Sequence, residues 1–375
     1  MRALEEEKQS ATADRAPTKR ARSAGSIANK DVVPFRRALL RWYDLHHRDL
    51  PWRKTRDPYS IWLSEIMLQQ TRVAAVLEHY RIFLERFPDL PALAAASEES
   101  VLAAWSGLGY YRRARMMHQC ARQIAEQHGG LFPENSKTLM TLPGIGRYTA
   151  AAIASIAFAE PVAVVDGNVE RVLRRVMGAN LSAQQTWQHA QTILANSRPG
   201  DFNQAMMELG ATVCVPRAPR CPECPVRKWC ATQGEVPRVK SASRQGKKQI
   251  WCVLDLRNLD WQNLDWRNQG QGEVRMVQRP NQVSLMPGMW ELPQISEPRR
   301  QKLWRTFRHS ITNTDYTVHV VQNRSVRRRG AAQAKAVSVS QPQKAARGRW
   351  IPIDHVPQLA LTGLSRKILK AGGII

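Results

Sequence analysis

No run of about 18 apolar residues occurs in this chain, so nothing in it reads as a membrane-spanning helix and no membrane partner is expected. The first ten residues, MRALEEEKQS, lack the apolar core of a secretory signal. Acidic residues are scarce too. Against 56 Lys and Arg stand 31 Asp and Glu, a formal net charge of +25 over 375 residues. Such a field draws in a polyanion and speeds the encounter, and nucleic acid is the usual partner. A merely soluble basic protein, a ribosome binder or a membrane-surface binder would carry the same excess. Cysteine is sparse, and four of the six crowd between positions 214 and 230. A disulfide framework spreads its cysteines. Crowding in a chain of this size without an export signal favours a metal site in a reducing compartment.

What is present is enough for two domains, each with its own core. Residues 1–30 are polar, alternate in charge and contain Pro17 and Gly25, which reads as a disordered basic tail. Its Lys19-Arg20-Ala21-Arg22 cluster suits a solvated segment, with DNA contact or a targeting address as alternatives. From 31 to 232 the apolar period is helical. Phe35, Leu39, Leu40, Trp42 and Tyr43 share one face, Ile61, Trp62, Glu65, Ile66 and Leu68 open another helix, and Val101, Leu102 and Trp105 mark a third. Punctuation at Phe87-Pro88, Gly107-Leu108-Gly109 and Pro143-Gly144-Ile145-Gly146 makes the connections short. Residues 233–249 read as a basic linker. From 250 to 375 strand periodicity takes over, at 250–256, 274–277, 316–321 and 350–353, before a helix near 364–370. The expected fold is therefore mainly α, followed by a smaller α+β domain. Within that domain Asn258-Leu259-Asp260-Trp261 recurs as Asn263-Leu264-Asp265-Trp266, which a small duplication in a hairpin loop explains. Residues 324–349 lack any acid and read as a mobile basic loop.

Cys214-x6-Cys221-x2-Cys224-x5-Cys230 places four soft ligands in a loop rich in proline. Four thiolates so close can enclose a tetrahedral zinc or a four-iron cluster, and spacing leaves the two about even. Cys120 and Cys252 lie apart and suit buried structural roles. Leu142-Pro143-Gly144-Ile145-Gly146-Arg147-Tyr148-Thr149 joins two helical stretches. Gly144 and Gly146 allow a tight turn, and the free N–H groups of the second helix suit a phosphate. Such a pattern alone is often just a turn; beside the net charge it becomes a DNA signal. Asp166 precedes an amphipathic helix, where a carboxylate is by default a cap held ionised, and can also face a cationic sugar. Glu65 has largely apolar helix neighbours. If partly buried it would have a raised pKa and hold a proton near neutrality; a surface Glu is the commoner case.

These elements, with Leu50-Pro51-Trp52-Arg53, Leu63-Ser64-Glu65-Ile66-Met67-Leu68-Gln69-Gln70-Thr71-Arg72-Val73, Gly107-Leu108-Gly109-Tyr110-Tyr111, Asp166-Gly167-Asn168 and Phe202-Asn203-Gln204-Ala205-Met206-Met207, resemble the MutY-type adenine DNA glycosylases. Those belong to the helix-hairpin-helix superfamily of endonuclease III. The resemblance spans roughly residues 33–232 and implies a two-lobed glycosylase domain with a [4Fe–4S] cluster on the four cysteines. It makes Glu65 the general acid and Asp166 the carboxylate that stabilises the sugar cation, with Tyr148 and Asn168 in support. It places Trp52 and Arg53 at the adenine pocket, Gln70 and Tyr110 in the base stack, and Gln69, Thr71 and Arg72 with Gly144 and Gly146 at the DNA. The implied reaction is hydrolytic removal of adenine opposite 8-oxoguanine or guanine, after base flipping, by a monomer on double-stranded DNA. Relatives that also cleave the strand carry a Schiff-base lysine where this chain has Tyr148, so a monofunctional enzyme is expected.

Arg275-Met276-Val277-Gln278-Arg279-Pro280, Pro287-Gly288-Met289-Trp290-Glu291-Leu292-Pro293 and Phe307-Arg308-His309 resemble the family's MutT-like (nudix-like) module, which reads 8-oxoguanine. No glutamate run follows Pro293, so nucleotide hydrolysis is not expected. Where the family has Phe-Ser-His this chain has Ile311-Thr312-Asn313. Thr312 supplies a hydroxyl in place of the serine, while the aromatic ring and imidazole are gone, which leaves the preference for 8-oxoguanine over guanine open. Such a protein works in the cytoplasm with the nucleoid in a bacterium, and in the nucleus or mitochondrion in a eukaryote.

Overall fold

The computed structural model describes residues 27–234, 246–257, 272–283, 285–298, 303–311, 314–325 and 348–375. The tail to residue 26, the Asn258 and Asn263 repeat, Thr312 and most of the basic loop lie outside the described residues. In chain order the helices are α1 (Asn29–His46), α2 (Pro58–Leu68), α3 (Val73–Arg86), α4 (Leu90–Ala95), α5 (Glu98–Ala104), α6 (Arg112–Gln127), α7 (Ser136–Leu139), α8 (Arg147–Ala157), α9 (Gly167–Met177), α10 (Ala183–Ile193), α11 (Pro199–Thr212) and α12 (Gly363–Ala371). The strands are β1 (Gly246–Arg257), β2 (Glu273–Gln278), β3 (Trp290–Glu291), β4 (Gln294–Ile295), β5 (Leu303–Ile311), β6 (Thr314–Ser325) and β7 (Arg349–Pro352). None of the helices is long and apolar enough to cross a membrane among the described residues.

The chain forms two compact units that do not follow chain order: Met1–His47 with Ala163–Pro237, and Arg48–Val162 with Arg238–Ile375. In the first, α1, α9, α10 and α11 enclose a core that includes Phe35, Leu39, Val172, Leu173, Phe202 and Leu209. Val169, Val172, Leu173 and Val176 recur along α9 at the spacing of one helix face, and all are buried. On α1, Phe35, Leu39 and Tyr43 are buried as the period predicts, whereas Leu40 and Trp42 lie at the edge of that face and stay half-exposed. Beyond α11 two short 3-10 turns, Cys221–Glu223 and Arg227–Trp229, carry the cysteine loop. Trp229 anchors it, edge-on to Phe35 with ring centres 5.7 Å apart.

In the second unit α2 is central. Asp57 caps it by accepting from Tyr59 N and Ser60 N, Pro58 supplies the pre-set first turn, and Tyr59 and every residue from Ile61 to Met67 are buried. The surrounding core includes Trp62, Leu63, Phe83, Trp105, Met117 and Ile153. The later residues of this unit build a mixed sheet ordered β3-β2-β1-β6-β5, with β4 on β1 and β7 on β2. β1 and β6 run parallel, and the other pairs are antiparallel. α12 covers the sheet, packing Leu364, Ile368 and Leu369 against Leu254, Val274 and Val318. Met289 and Ala360, from the connections around the sheet, are buried in the core of the helices instead.

Three details differ from the periodicity. β1 begins at Gly246 rather than at 250, inside the stretch read as linker, because its first residues pair with Thr314 onward in β6. β5 carried no usable period: it pairs with β6 alone, and most of its side chains face solvent. Ile353 opens a 3-10 turn, Ile353–Gln358, so the last strand stops at Pro352.

Met289 is fully buried within the helical core although it belongs to the C-terminal part of the chain. Met289→Ala is expected to lower the unfolding free energy by about 2–5 kcal/mol, through lost burial and a residual cavity. Denaturant unfolding followed by circular dichroism reads this, and a loss below 1 kcal/mol (roughly the cost of a surface change) would show that the two parts do not share that core.

Candidate functional site

α2 is buried on all sides around Glu65. Its side chain is only 6% exposed, on a helix that has no polar face. Tyr148, the second residue of α8, donates its hydroxyl to Glu65 Oε2 at 2.5 Å. α8 starts directly after the Pro143–Gly146 turn. Gly144 has φ +75°, and a Cβ there would stand 2.8 Å from Met116 Cβ, so the turn can approach α6 only as glycine. Gly146 is the cap residue of α8 and supplies no side-chain acceptor to the exposed start of that helix. Next to Tyr148, Thr149 Oγ1 accepts from Gln69 Nε2 at 3.5 Å, which joins the turn to the end of α2.

Beyond α2 the chain makes two loops whose tips adopt left-handed backbone without glycine, Gln70 at φ 57° and Tyr110 at φ 48°. One side chain holds both. Arg113 Nη1 donates to Ile66 O and Gln69 O, each at 2.6 Å, and to Met67 O at 3.1 Å. Its Nη2 reaches Thr71 Oγ1, Leu108 O and Gly109 O at 3.3 Å. The guanidinium also lies over the rings of Trp105 and Tyr110, 5.3 and 5.5 Å from their centres. Burial lowers its pKa to about 10. Gln70 and Arg72 are exposed and Thr71 half-buried, while the Tyr110 ring is 49% exposed. A cavity of about 360 Å³ lies beneath them, lined by Gln69, Gln70, Tyr110, Arg113, Pro143 and Gly144 among others. Trp52 is buried edge-on to Tyr80, and Arg53 is half-buried with Nη1 on Arg48 O at 3.1 Å.

In the other unit Asp166 caps α9. Its Oδ1 accepts from Asn168 N at 2.9 Å and Val169 N at 2.7 Å, and its Oδ2 from Asn168 Nδ2 at 2.8 Å. Three donors fix both oxygens in direction. Arg171 extends the chain of bonds: Nη2 donates to Asn168 Oδ1 at 2.8 Å and to Gly210 O at 2.7 Å, and Nε to Cys214 O at 2.9 Å. Gly210 makes this approach feasible, since a Cβ there would fall 2.6 Å from Asn168 Cβ. The carboxylate cap is thus linked by two side chains to the first residue of the cysteine loop.

Cys214, Cys221, Cys224 and Cys230 are all half-buried, unpaired by disulfide, and line one small cavity with Val172, Val176 and Leu209. Among the described residues no three His, Cys, Asp or Glu side chains stand close enough to hold one metal ion. Burial pushes the Cys224 thiol up to about 11 and raises that of Cys230. Arg175, itself buried, donates to Cys214 Sγ at 3.3 Å and to the carbonyls of Val215 and Pro216 at 2.7 and 3.0 Å. Cys120 and Cys252 are buried away from this loop, and burial pushes each thiol up to about 12. Arg113, Arg171 and Arg175 were missed by sequence reasoning, because an arginine within an amphipathic helix reads as a solvated residue.

Residues 63–196, from α2 through α10, match the HhH-GPD superfamily base excision DNA repair protein. A solved structure of a thermostable thymine-DNA glycosylase is 32% identical with a TM-score of 0.52, and the match covers 55% of this chain and 97% of that one. The chain therefore belongs to the HhH-GPD superfamily of base excision DNA repair proteins. Within it, the adenine DNA glycosylase of Rattus norvegicus is 41% identical over 322 residues, 72% of this chain and 62% of that protein. That of Mus musculus is 48% identical over 243 residues, 60% of this chain and 47% of that protein. This chain thus spans about half to three-fifths of the length of these curated relatives.

Arg113→Ala is expected to release both loops, lowering their local stability by about 1.5–3 kcal/mol through loss of charge-assisted bonds. Amide hydrogen exchange at residues 69–72 and 107–111 reads it, with rates rising at least about tenfold. Exchange at the wild-type rate would mean that the loops are held by other contacts.

Proposed function

We propose that this protein is a monofunctional DNA glycosylase that removes adenine paired with 8-oxoguanine or guanine in double-stranded DNA and leaves an abasic site. The observation that carries the reading is the Glu65–Tyr148 pair, a buried carboxyl beside a phenol on the first turn of α8. A carboxyl taken out of water resists ionisation and can hold a proton for a leaving group. With the base flipped out of the duplex, Glu65 delivers that proton to adenine as the N-glycosidic bond lengthens. Asp166, its oxygens aimed by Asn168 and the α9 backbone, stabilises the oxocarbenium-like sugar. Tyr148 orients Glu65. Being a phenol, it forms no imine with the abasic sugar, so strand cleavage by that route is absent.

The exposed start of α8, after the Gly144 and Gly146 turn, receives a DNA phosphate, aided by a net charge of +25. Tyr110 and Gln70, exposed at the tips of two firmly held loops, enter the base stack in place of the extruded adenine. Trp52 and Arg53 border the adenine pocket. The four cysteines would hold a [4Fe–4S] cluster, for which four soft donors around one cavity with apolar walls are a fitting set, and bound there it would brace the loop. The C-terminal mixed sheet serves as a MutT-like reader of 8-oxoguanine, with Thr312 as its hydroxyl donor. The protein acts as a monomer.

Glu65→Gln keeps the size of the side chain and removes its proton. Single-turnover release of adenine from an A:8-oxoguanine duplex should fall by at least about 100-fold, the contribution of a general acid. Release at the wild-type rate would refute the assignment of Glu65.

A further inference from the structure

The last helix of the chain reaches the loop that carries Tyr110. Tyr111 Oη donates to Leu361 O at 2.8 Å, and Ser106 Oγ donates to the same carbonyl at 3.1 Å. Arg366 Nε, on the first turns of α12, donates to Ser106 Oγ at 2.8 Å. The Ser106 hydroxyl both gives and receives, and the Leu361 carbonyl accepts twice. The Arg366 side chain also flanks Gly107, its Cδ 3.8 Å from the place a Cβ would take, with Gly107 held at φ +110°. Ser106 and Tyr111 therefore grip the 107–110 turn at both ends, and both grips close on residues of the C-terminal part of the chain.

Arg366 has little freedom of its own. Thr362 caps α12 by accepting from Ser365 N, and Ser365 Oγ accepts in turn from Leu292 N at 2.9 Å. The side chain is half-buried, and no carboxylate pairs with it among the described residues. Burial lowers its pKa below the ordinary arginine value. For stability alone an apolar side chain would serve better at such a place, since one bond to a hydroxyl offsets little of a guanidinium's lost hydration. The other end of the α12 start faces the β5 strand: Lys367 Nζ donates to Arg308 O at 2.9 Å, and Gly363 lies against the His309 ring.

We propose that Arg366 is a positioning residue for the Tyr110 turn, acting through Ser106 so that the exposed ring projects into the base stack in one fixed direction. This rests on the reading of Tyr110 as the residue that enters the stack. The C-terminal domain then contributes to adenine extrusion itself, whatever base stands opposite, in addition to any contact with 8-oxoguanine.

The test uses the full chain and duplexes in which 2-aminopurine replaces the target adenine, opposite 8-oxoguanine or guanine, so that fluorescence reports unstacking. Arg366→Met, which keeps the packing, and Ser106→Ala should each slow the fluorescence rise about tenfold, a modest misplacement by the standard of positioned groups. The slowing should be equal on both duplexes, and the double variant should be no slower than the slower single one. Arg366→Lys, which retains a donor, should recover part of the rate, and it stands in if Arg366→Met unfolds below the assay temperature. The salt dependence of binding should not change. Wild-type rates in the variants would overturn the proposal, and so would slowing confined to the 8-oxoguanine duplex. Additive slowing with a salt slope reduced by about one would assign Arg366 to a DNA phosphate instead and overturn it as well. A wild-type protein that released no adenine would remove the function on which the proposal rests, and the proposal with it; active wild type with unaffected variants removes the proposal alone.

Discussion

The guanidinium of Arg113 is the interaction on which the outward-facing half of the candidate site depends. It sits at the end of α2, the helix that carries Glu65, and donates to backbone oxygens on two separate loops. Both loops end in a non-glycine residue with positive φ, a conformation that costs about 1–3 kcal/mol and survives only where its surroundings over-determine it. Five carbonyls and a hydroxyl around one planar cation supply that excess of constraint. The exposed tips can then be rigid without being buried, as their proposed entry into a base stack requires.

The same device recurs. Arg171 and Arg175 donate to the carbonyls that open the cysteine loop, and Arg366 donates to Ser106. In each case a half-buried or buried arginine donates chiefly to uncharged oxygens rather than to an acid. This qualifies the meaning of the large positive charge. Part of it is internal, organising loops by charge-assisted bonds, and only the remainder faces a polyanion. A backbone carbonyl acceptor also leaves the arginine charge uncancelled, so these residues hold structure and still contribute to the attractive field.

Helices were legible because a buried face repeats at 3.6 residues, and the α9 stripe from Val169 to Val176 is the clearest instance. β5 was illegible for the opposite reason: with most side chains in solvent its sequence is under little constraint to alternate. Glu65 shows where reading residue by residue stops. Its apolar neighbours hinted at burial, yet a surface glutamate remained the commoner case until α2 proved to be enclosed on every side. For Asp166 the default expectation of a cap was correct as geometry, since the same oxygens that cap α9 are the ones Asn168 aims. The arginine clasps left no trace in the sequence. A cation in an amphipathic helix looks the same whether it meets water or a ring of carbonyls, and only the fold distinguishes them.

The central proposal is that a buried carboxyl and a hydrogen-bonded carboxyl cap in this chain release adenine without cutting the strand. It is tested most directly by incubating the protein with duplexes that place adenine opposite 8-oxoguanine, guanine, cytosine and thymine, with borohydride present, and assaying free adenine and covalent adduct together. The account predicts free adenine from the 8-oxoguanine and guanine duplexes, an abasic product and no efficient adduct. Absence of adenine from all four duplexes, or abundant trapped protein–DNA complex, would contradict it.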